Sequence, residues 1–261
     1  MSTAKSLKIS LRNPILSLNK GSSMQRIFVF ILSAFASTFA IAADDYGKLI
    51  FEDNFQRNEP QEKTDDPGNG WGTNSKSRAK GNKQVDLRDG AMYIYIHAEA
   101  NHGVSVTQPA EFTDGTVAMR FMLEDASDSL SLDFADAQFK EVHAGHLFAV
   151  RINPKQVQLQ DLKNGNMRLD ISEARQAKKE LSDEQKQALK GKDKAFPRPT
   201  AVGKWHDLIV AVSGDELSVS IDGESVGNFK SDGFAHPTKR MLRLAVNRNA
   251  VVDDVKIWQK K

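Results

Sequence analysis

A chain of 261 residues with 39% hydrophobic and 27% charged residues has apolar material for one sizeable core. Its formal charge of +2 comes from residues 1–42, which hold five cations and no acid; residues 43–261 keep 31 basic and 34 acidic residues, a net of −3, which excludes the electrostatic footprint of a nucleic-acid binder. The absence of cysteine excludes disulfides, thiolate metal sites, a cysteine nucleophile and a lipid-modified cysteine.

The chain opens on an address. Met24-Gln25-Arg26 is a short basic start, residues 27–39 form an apolar run, and Ala40-Ile41-Ala42 is an A-x-A cleavage signal. The run is shorter than the ~20 residues a membrane span needs. Residues 1–42 therefore read as an N-terminal extension and signal peptide, with cleavage after Ala42, no membrane attachment afterwards, and a periplasmic or extracellular destination. Met24 offers a second possible start of translation. Residues 43–261 read as a single domain.

From there the pattern is mostly period two, which places successive side chains on opposite faces. Strands are predicted at 49–53, 91–97, 103–107, 116–123, 129–134, 146–152, 156–160, 205–212, 217–221, 226–229, 241–246 and 251–258. Asp222-Gly223 supplies a hairpin turn between two of them. About a dozen short strands with turn signals between them predict an all-β jelly-roll sandwich of two antiparallel sheets. Two segments interrupt it. Residues 56–84 are polar and read as a long surface loop anchored by Trp71. Residues 171–194 read as a helical insertion, with Ser182-x-x-Gln185 as a capping box and Gly191 and Pro197 as stops.

Three strands place an arginine opposite their apolar face. In 116–123 the core face is Val117, Met119, Phe121 and Leu123, leaving Arg120 outside. In 146–152 it is Phe148, Val150 and Ile152, leaving Arg151. In 241–247 it is Leu242, Leu244 and Val246, leaving Arg243 and Asn247. Were these strands neighbours, Arg120, Arg151 and Arg243 would line one surface. Their planar guanidinium groups suit carboxylates, phosphates and sugar hydroxyls; the plainer alternative is three solvated arginines. His143 and His146, with Glu141 nearby, could bind a divalent metal or move protons, and His102 sits in a loop open to solvent or ligand. Glu52, Asp53 and Asp253, on the first and last strands, offer oxygen ligands for a structural Ca²⁺, or else are ordinary strand-end carboxylates. Trp71, Trp205 and Trp258 could stack on sugar rings or serve as core. Glu124, Asp125, Asp128, Asp133 and Asp136 cluster along the chain but form no Glu-x-Asp-x-Glu motif, which counts against a retaining glucanase mechanism. No phosphate-binding loop and no serine elbow is present.

The run Gly203-Lys204-Trp205-His206-Asp207-Leu208-Ile209-Val210, with Gly214-Asp215 and Ser218-Val219-Ser220-Ile221-Asp222-Gly223, resembles the late strands of concanavalin A-like lectin/glucanase sandwiches. Residues 251–257 resemble their closing strand, 49–55 the opening one and 87–92 the second. More narrowly, residues 47–259 are similar to the bacterial 3-keto-disaccharide hydrolase domain, a family-sixteen glycoside hydrolase-like group. The resemblance implies a carbohydrate ligand and places Arg151 and Arg243 on matching strands. Two departures stand out: His143-Ala144-Gly145-His146 replaces that domain's Asn-Ser-Gly strand start, and the helical insertion is extra. Three functions remain open. They are hydrolysis of a glycosidic bond in a sugar or oxidised (3-keto) sugar, with Glu141, His143 and His146 in the chemistry and Arg120, Arg151, Arg243, Asn247 and His102 holding substrate; non-catalytic carbohydrate binding on the same sheet face; and an interaction module of the envelope. Oligomeric state is not legible.

Overall fold

A computed structural model describes residues 46–260, so the predicted signal segment and its cleavage point lie outside the described residues. The strands are β1 (Lys48–Asp53), β2 (Gly72–Thr73), β3 (Val85–Arg88), β4 (Ala91–Tyr95), β5 (Val104–Phe112), β6 (Gly115–Met122), β7 (Leu130–Ala135) and β8 (His146–Ile152). They continue as β9 (Gln156–Asp161), β10 (Asp193–Pro197), β11 (His206–Ser213), β12 (Glu216–Ile221), β13 (Glu224–Lys230), β14 (Lys239–Val246) and β15 (Asn249–Gln259). The first sheet runs β13-β12-β11-β6-β15-β4-β3, with β1 also paired to β15; the second runs β10-β9-β8-β7-β14-β5-β2. All the pairings are antiparallel.

The core lies between the sheets and follows the alternation. Leu130, Leu132 and Phe134 of β7, Phe148, Val150 and Ile152 of β8, and Leu242, Leu244 and Val246 of β14 are all buried and belong to one cluster. Each such side chain contributes about 1.5–3 kcal/mol of burial, and a one-residue slip would turn every one of them to solvent. Asp222 and Gly223 are both left-handed, as a two-residue hairpin turn requires, and join β12 to β13.

Three expectations need correction. The 56–84 segment holds β2, a short helix α1 (Ser75–Arg78) and Trp71, which is buried. It is tied down by Asp65, which accepts from Thr73 Oγ1 at 2.6 Å and from the amides of Gln84 and Val85 at 2.7 and 2.9 Å. The insertion is two short helices, α2 (Leu169–Gln176) and α3 (Asp183–Ala188), followed by the edge strand β10, where Pro197 sits at a strand end. The Ser182/Gln185 capping box forms in both directions. Trp205 precedes β11, lying under the Arg120 guanidinium at 4.8 Å.

Candidate functional site

The register of the second sheet brings distant polar residues into two rows on its outer face. One row crosses Thr107, Arg243, Asp133, Ala149, Gln160 and Asp193. The adjacent row crosses Ser105, Ala245, Ser131, Arg151, Gln158 and Ala195. With strands about 4.8 Å apart, Asp133 and Gln160 are about 10 Å apart across Ala149, the shortest side chain between them.

At the head of β8 three side chains interlock. His146 Nδ1 contacts Asp133 Oδ2, and Arg243 Nη1 lies 3.1 Å from His146 Nε2 and 3.7 Å from Asp133 Oδ2. Arg243 Nη2 also donates to the Ala144 carbonyl at 3.3 Å. Asp133 takes the Nδ1–H, which leaves Nε2 as the ring's acceptor, and Arg243 Nη1 sits between the two ring nitrogens, 2.9 Å from Nδ1 and 3.1 Å from Nε2. The turn at His143–Gly145 delivers His146 to this position. Ala144 and Gly145 are both left-handed, and a Cβ on Gly145 would meet the Asp136 carbonyl oxygen at 2.4 Å, so only glycine fits. The insertion closes over the same end: His143 N donates to the Met167 carbonyl at 2.8 Å, and Val142 bridges Arg168. Asp161 fixes the insertion's root by accepting from Asn164 N at 2.9 Å and Ser231 Oγ at 2.5 Å.

Two hollows open on this face. One, of about 220 Å³, is lined by Ser131, Arg151, Gln158, Ala245 and Asn247. The other, of about 340 Å³, lies against the insertion and is lined by His143, Arg151, Gln160, Ser172, Arg175 and Gln176 among others. Asp133 Oδ1 and Gln160 Oε1 are buried acceptors without a partner. An unmet buried acceptor costs about 1–3 kcal/mol until a donor reaches it.

The predicted residues divide. Arg151, Arg243, Asn247, His143 and His146 share this face or its rim. Arg120 does not: it belongs to β6 in the first sheet, where it pairs with Asp253 at 3.4 Å and Asp207 at 3.9 Å. The three arginines therefore line no common surface, because β6 and β14 lie in different sheets. His102 is exposed before β5 and contacts only the Gly103 carbonyl, at 2.9 Å. Glu141 lines a separate hollow with Lys163, Arg168 and Asp170.

The metal expectations do not fit the donors. Both oxygens of Asp53 are taken by the Arg57 guanidinium at 2.6 and 2.9 Å, with Trp71 Nε1 at 2.8 Å and the Phe55 amide at 2.9 Å filling out the shell. Arg57 thus stands where a cation would, and its bonds outweigh burial to hold the Asp53 carboxyl below the usual range. Glu52 is exposed, facing Lys256 across the strand pair. Asp253 is separated by a bulge at Asp253/Lys256 and is pushed up to about 6 by burial and by Asp254. The His146 nitrogens face Arg243 and Asp133, and among the described residues no three His, Asp or Glu side chains converge as a metal set.

No family model and no curated protein matches the chain. Solved structures do. SCLam, a non-specific endo-β-1,3(4)-glucanase from family GH16, superposes with a TM-score of 0.54 at 14% identity, covering 82% of this chain and 91% of that one. The fold is the concanavalin A-like jelly roll. Other jelly rolls of this kind are the laminarinase from Flavobacterium sp. UMI-01 (TM-score 0.51, 12% identity, 81% of this chain and all of that one) and porphyranase B from Zobellia galactanivorans (0.51, 13%, 81% and 92%). At these identities the likeness is one of fold. The sequence shows Asp133 only as one of a run of acids and gives no signal for Gln160. The alternation in 129–134 puts Asp133 beside Ser131, but only strand pairing sets it against His146 and Arg243.

Proposed function

We propose that the chain is an exported carbohydrate-active protein that holds a sugar on the outer face of its second sheet. The observation that carries this is the pairing of open donors and acceptors there. Arg151 presents a guanidinium, while Asp133 Oδ1 and Gln160 Oε1 are buried acceptors that lack a donor. A sugar hydroxyl both donates and accepts, so a ring lying over Ala149 would satisfy both kinds of group. The jelly roll is the fold of proteins named glucanase, laminarinase and porphyranase, which supports the ligand class. Among the described residues no helix is long and apolar enough to cross a membrane. The test is calorimetric titration with a glycan panel, comparing the natural chain with Gln160→Ala. Binding weakened by that change supports the reading; a silent panel removes it. Export is tested by N-terminal sequencing of the protein recovered from outside the cytoplasm, where Ala43 is the expected first residue.

One observation favours hydrolysis of a 3-keto-glycoside over binding alone. His146 is held by Asp133 in an orientation suited to a general base. A ketone at C3 acidifies the C2–H bond, so no carboxylate pair is needed. Under this reading Nε2 takes the C2 proton, and the released electron pair forms an enolate on the C3 oxygen, to which Arg243 swings from Nε2. The carbonyl then re-forms, the C1–O bond breaks, and the leaving oxygen takes the proton back from His146. Water adds across the resulting C1=C2 bond, its oxygen to C1 and a proton to C2. Release of the aglycone from a 3-keto-glucoside, lost in His146→Ala, supports it; binding without release leaves the binding module alone.

A further inference from the structure

We propose that the sugar this face takes is anionic, carrying a carboxylate or sulfate that the hollow beneath the insertion receives. This rests on the sugar-binding reading above and names its ligand more narrowly. The hollow of about 340 Å³ is lined by His143, Arg151 and Arg175 together with neutral side chains, and by no acid. Two fixed positive charges thus share one concavity, one from β8 and one from the insertion helix α2.

Among the described residues neither Arg151 nor Arg175 takes part in an ion pair; pairs nearby include His146–Asp133, Arg243–Asp133 and Arg168–Asp170. Arg175 reaches only the Asn166 side-chain oxygen, at 2.5 Å. Of the acids on the same sheet, Asp133 is engaged by His146 and Arg243, while Asp193 accepts from the neutral Gln158 Nε2 at 2.8 Å and keeps its charge. No acid lines the hollow itself, in a body whose overall charge is weakly negative.

The floor adds a second requirement. Gln160, 8% exposed, lines this hollow and leaves its Oε1 without a donor. A simple inorganic anion would satisfy the arginines and leave Oε1 unmet. A saccharide with an acidic substituent satisfies both, its oxyanion accepting from the guanidinium groups and a ring hydroxyl donating to Gln160.

The test is calorimetric titration of the full chain at low salt with three ligands of matched length: an oligogalacturonide, the same oligomer fully methyl-esterified, and a sulfated galactan oligomer. Arg151→Gln, Arg175→Gln and Gln160→Leu are compared with Arg120→Gln, which lies on the other sheet. At least one acidic ligand should bind about tenfold or more tightly than the ester. That margin should shrink in either Arg151→Gln or Arg175→Gln and fall steeply with salt, while Arg120→Gln leaves it intact. Which acidic arm binds distinguishes carboxylate from sulfate. Equal affinity for the ester, lost in Gln160→Leu, would overturn the charge requirement and leave the sugar reading standing. An acidic preference that survives both arginine substitutions would also overturn it. No binding by any of the three, together with a silent neutral panel, would overturn both. Circular dichroism of each variant confirms folding, and Arg175→Lys, which keeps the charge, should retain most of the margin.

Discussion

Substituting Arg243 and Asp133 singly and together should reveal a coupled pair. Arg243 Nη1 stands 3.7 Å from Asp133 Oδ2, with side-chain exposures of 14% and 8%. At an effective dielectric constant near 20, two unit charges at that separation attract by about 4 kcal/mol before desolvation is subtracted. Desolvating two nearly buried ions removes much of this. Arg243→Gln strands Asp133 beside His146 with one oxygen already unpartnered, and is expected to destabilise the fold by about 1–3 kcal/mol. For a domain of this size that lowers Tm by about 2–4 °C per kcal/mol. Asp133→Asn has a comparable cost. Because the two share one interaction, the double variant should lose less than the sum, with a coupling of about 1–3 kcal/mol in a urea-denaturation cycle. Additivity within about 0.5 kcal/mol would refute the claim that Asp133, His146 and Arg243 form a preassembled set.

Lys239 is buried, donating to the carbonyls of Thr113 at 2.6 Å and His236 at 2.9 Å, and burial lowers its pKa to about 8. The unfolded chain then binds more protons than the native one between pH 8 and 10.5, so stability should rise with pH across that window; Lys239→Met should flatten the rise in denaturation curves. Asp253 has the opposite sign. Its folded pKa of about 6 exceeds the unfolded value, so stability should fall as pH climbs from about 4 to 6, and Asp253→Asn should remove the decline. Ser182→Ala breaks the capping box and should raise proteolytic nicking near α3, with a local cost of about 0.5–2 kcal/mol.

The sandwich was legible because its signal is local. Leu242, Leu244 and Val246 alternate with Met241, Arg243 and Ala245; the first three are buried and the second three half-buried. The Asp222-Gly223 turn and the Ser182/Gln185 cap are likewise local chemistry. The site was legible only in part. Arg151 and Arg243 share an outer face, as their alternation allowed, but nothing in the sequence says that β14 lies between β5 and β7 or that Arg120 belongs to the opposite sheet. The same nonlocality hid the carboxylate shell: Asp53 was open to a cation on paper, and Arg57, four residues on, fills it. Strands β2 and β3 and the edge strand β10 were missed because two to five residues carry too little periodicity to register.

The most direct test is to record amide shifts of the isotope-labelled chain while titrating the glycan that binds. Perturbations centred on Ser131, Ala149, Arg151 and Gln160 are predicted. Perturbations centred on Arg120, Trp205 and Asp253, across the sandwich, would contradict the assignment of the ligand surface.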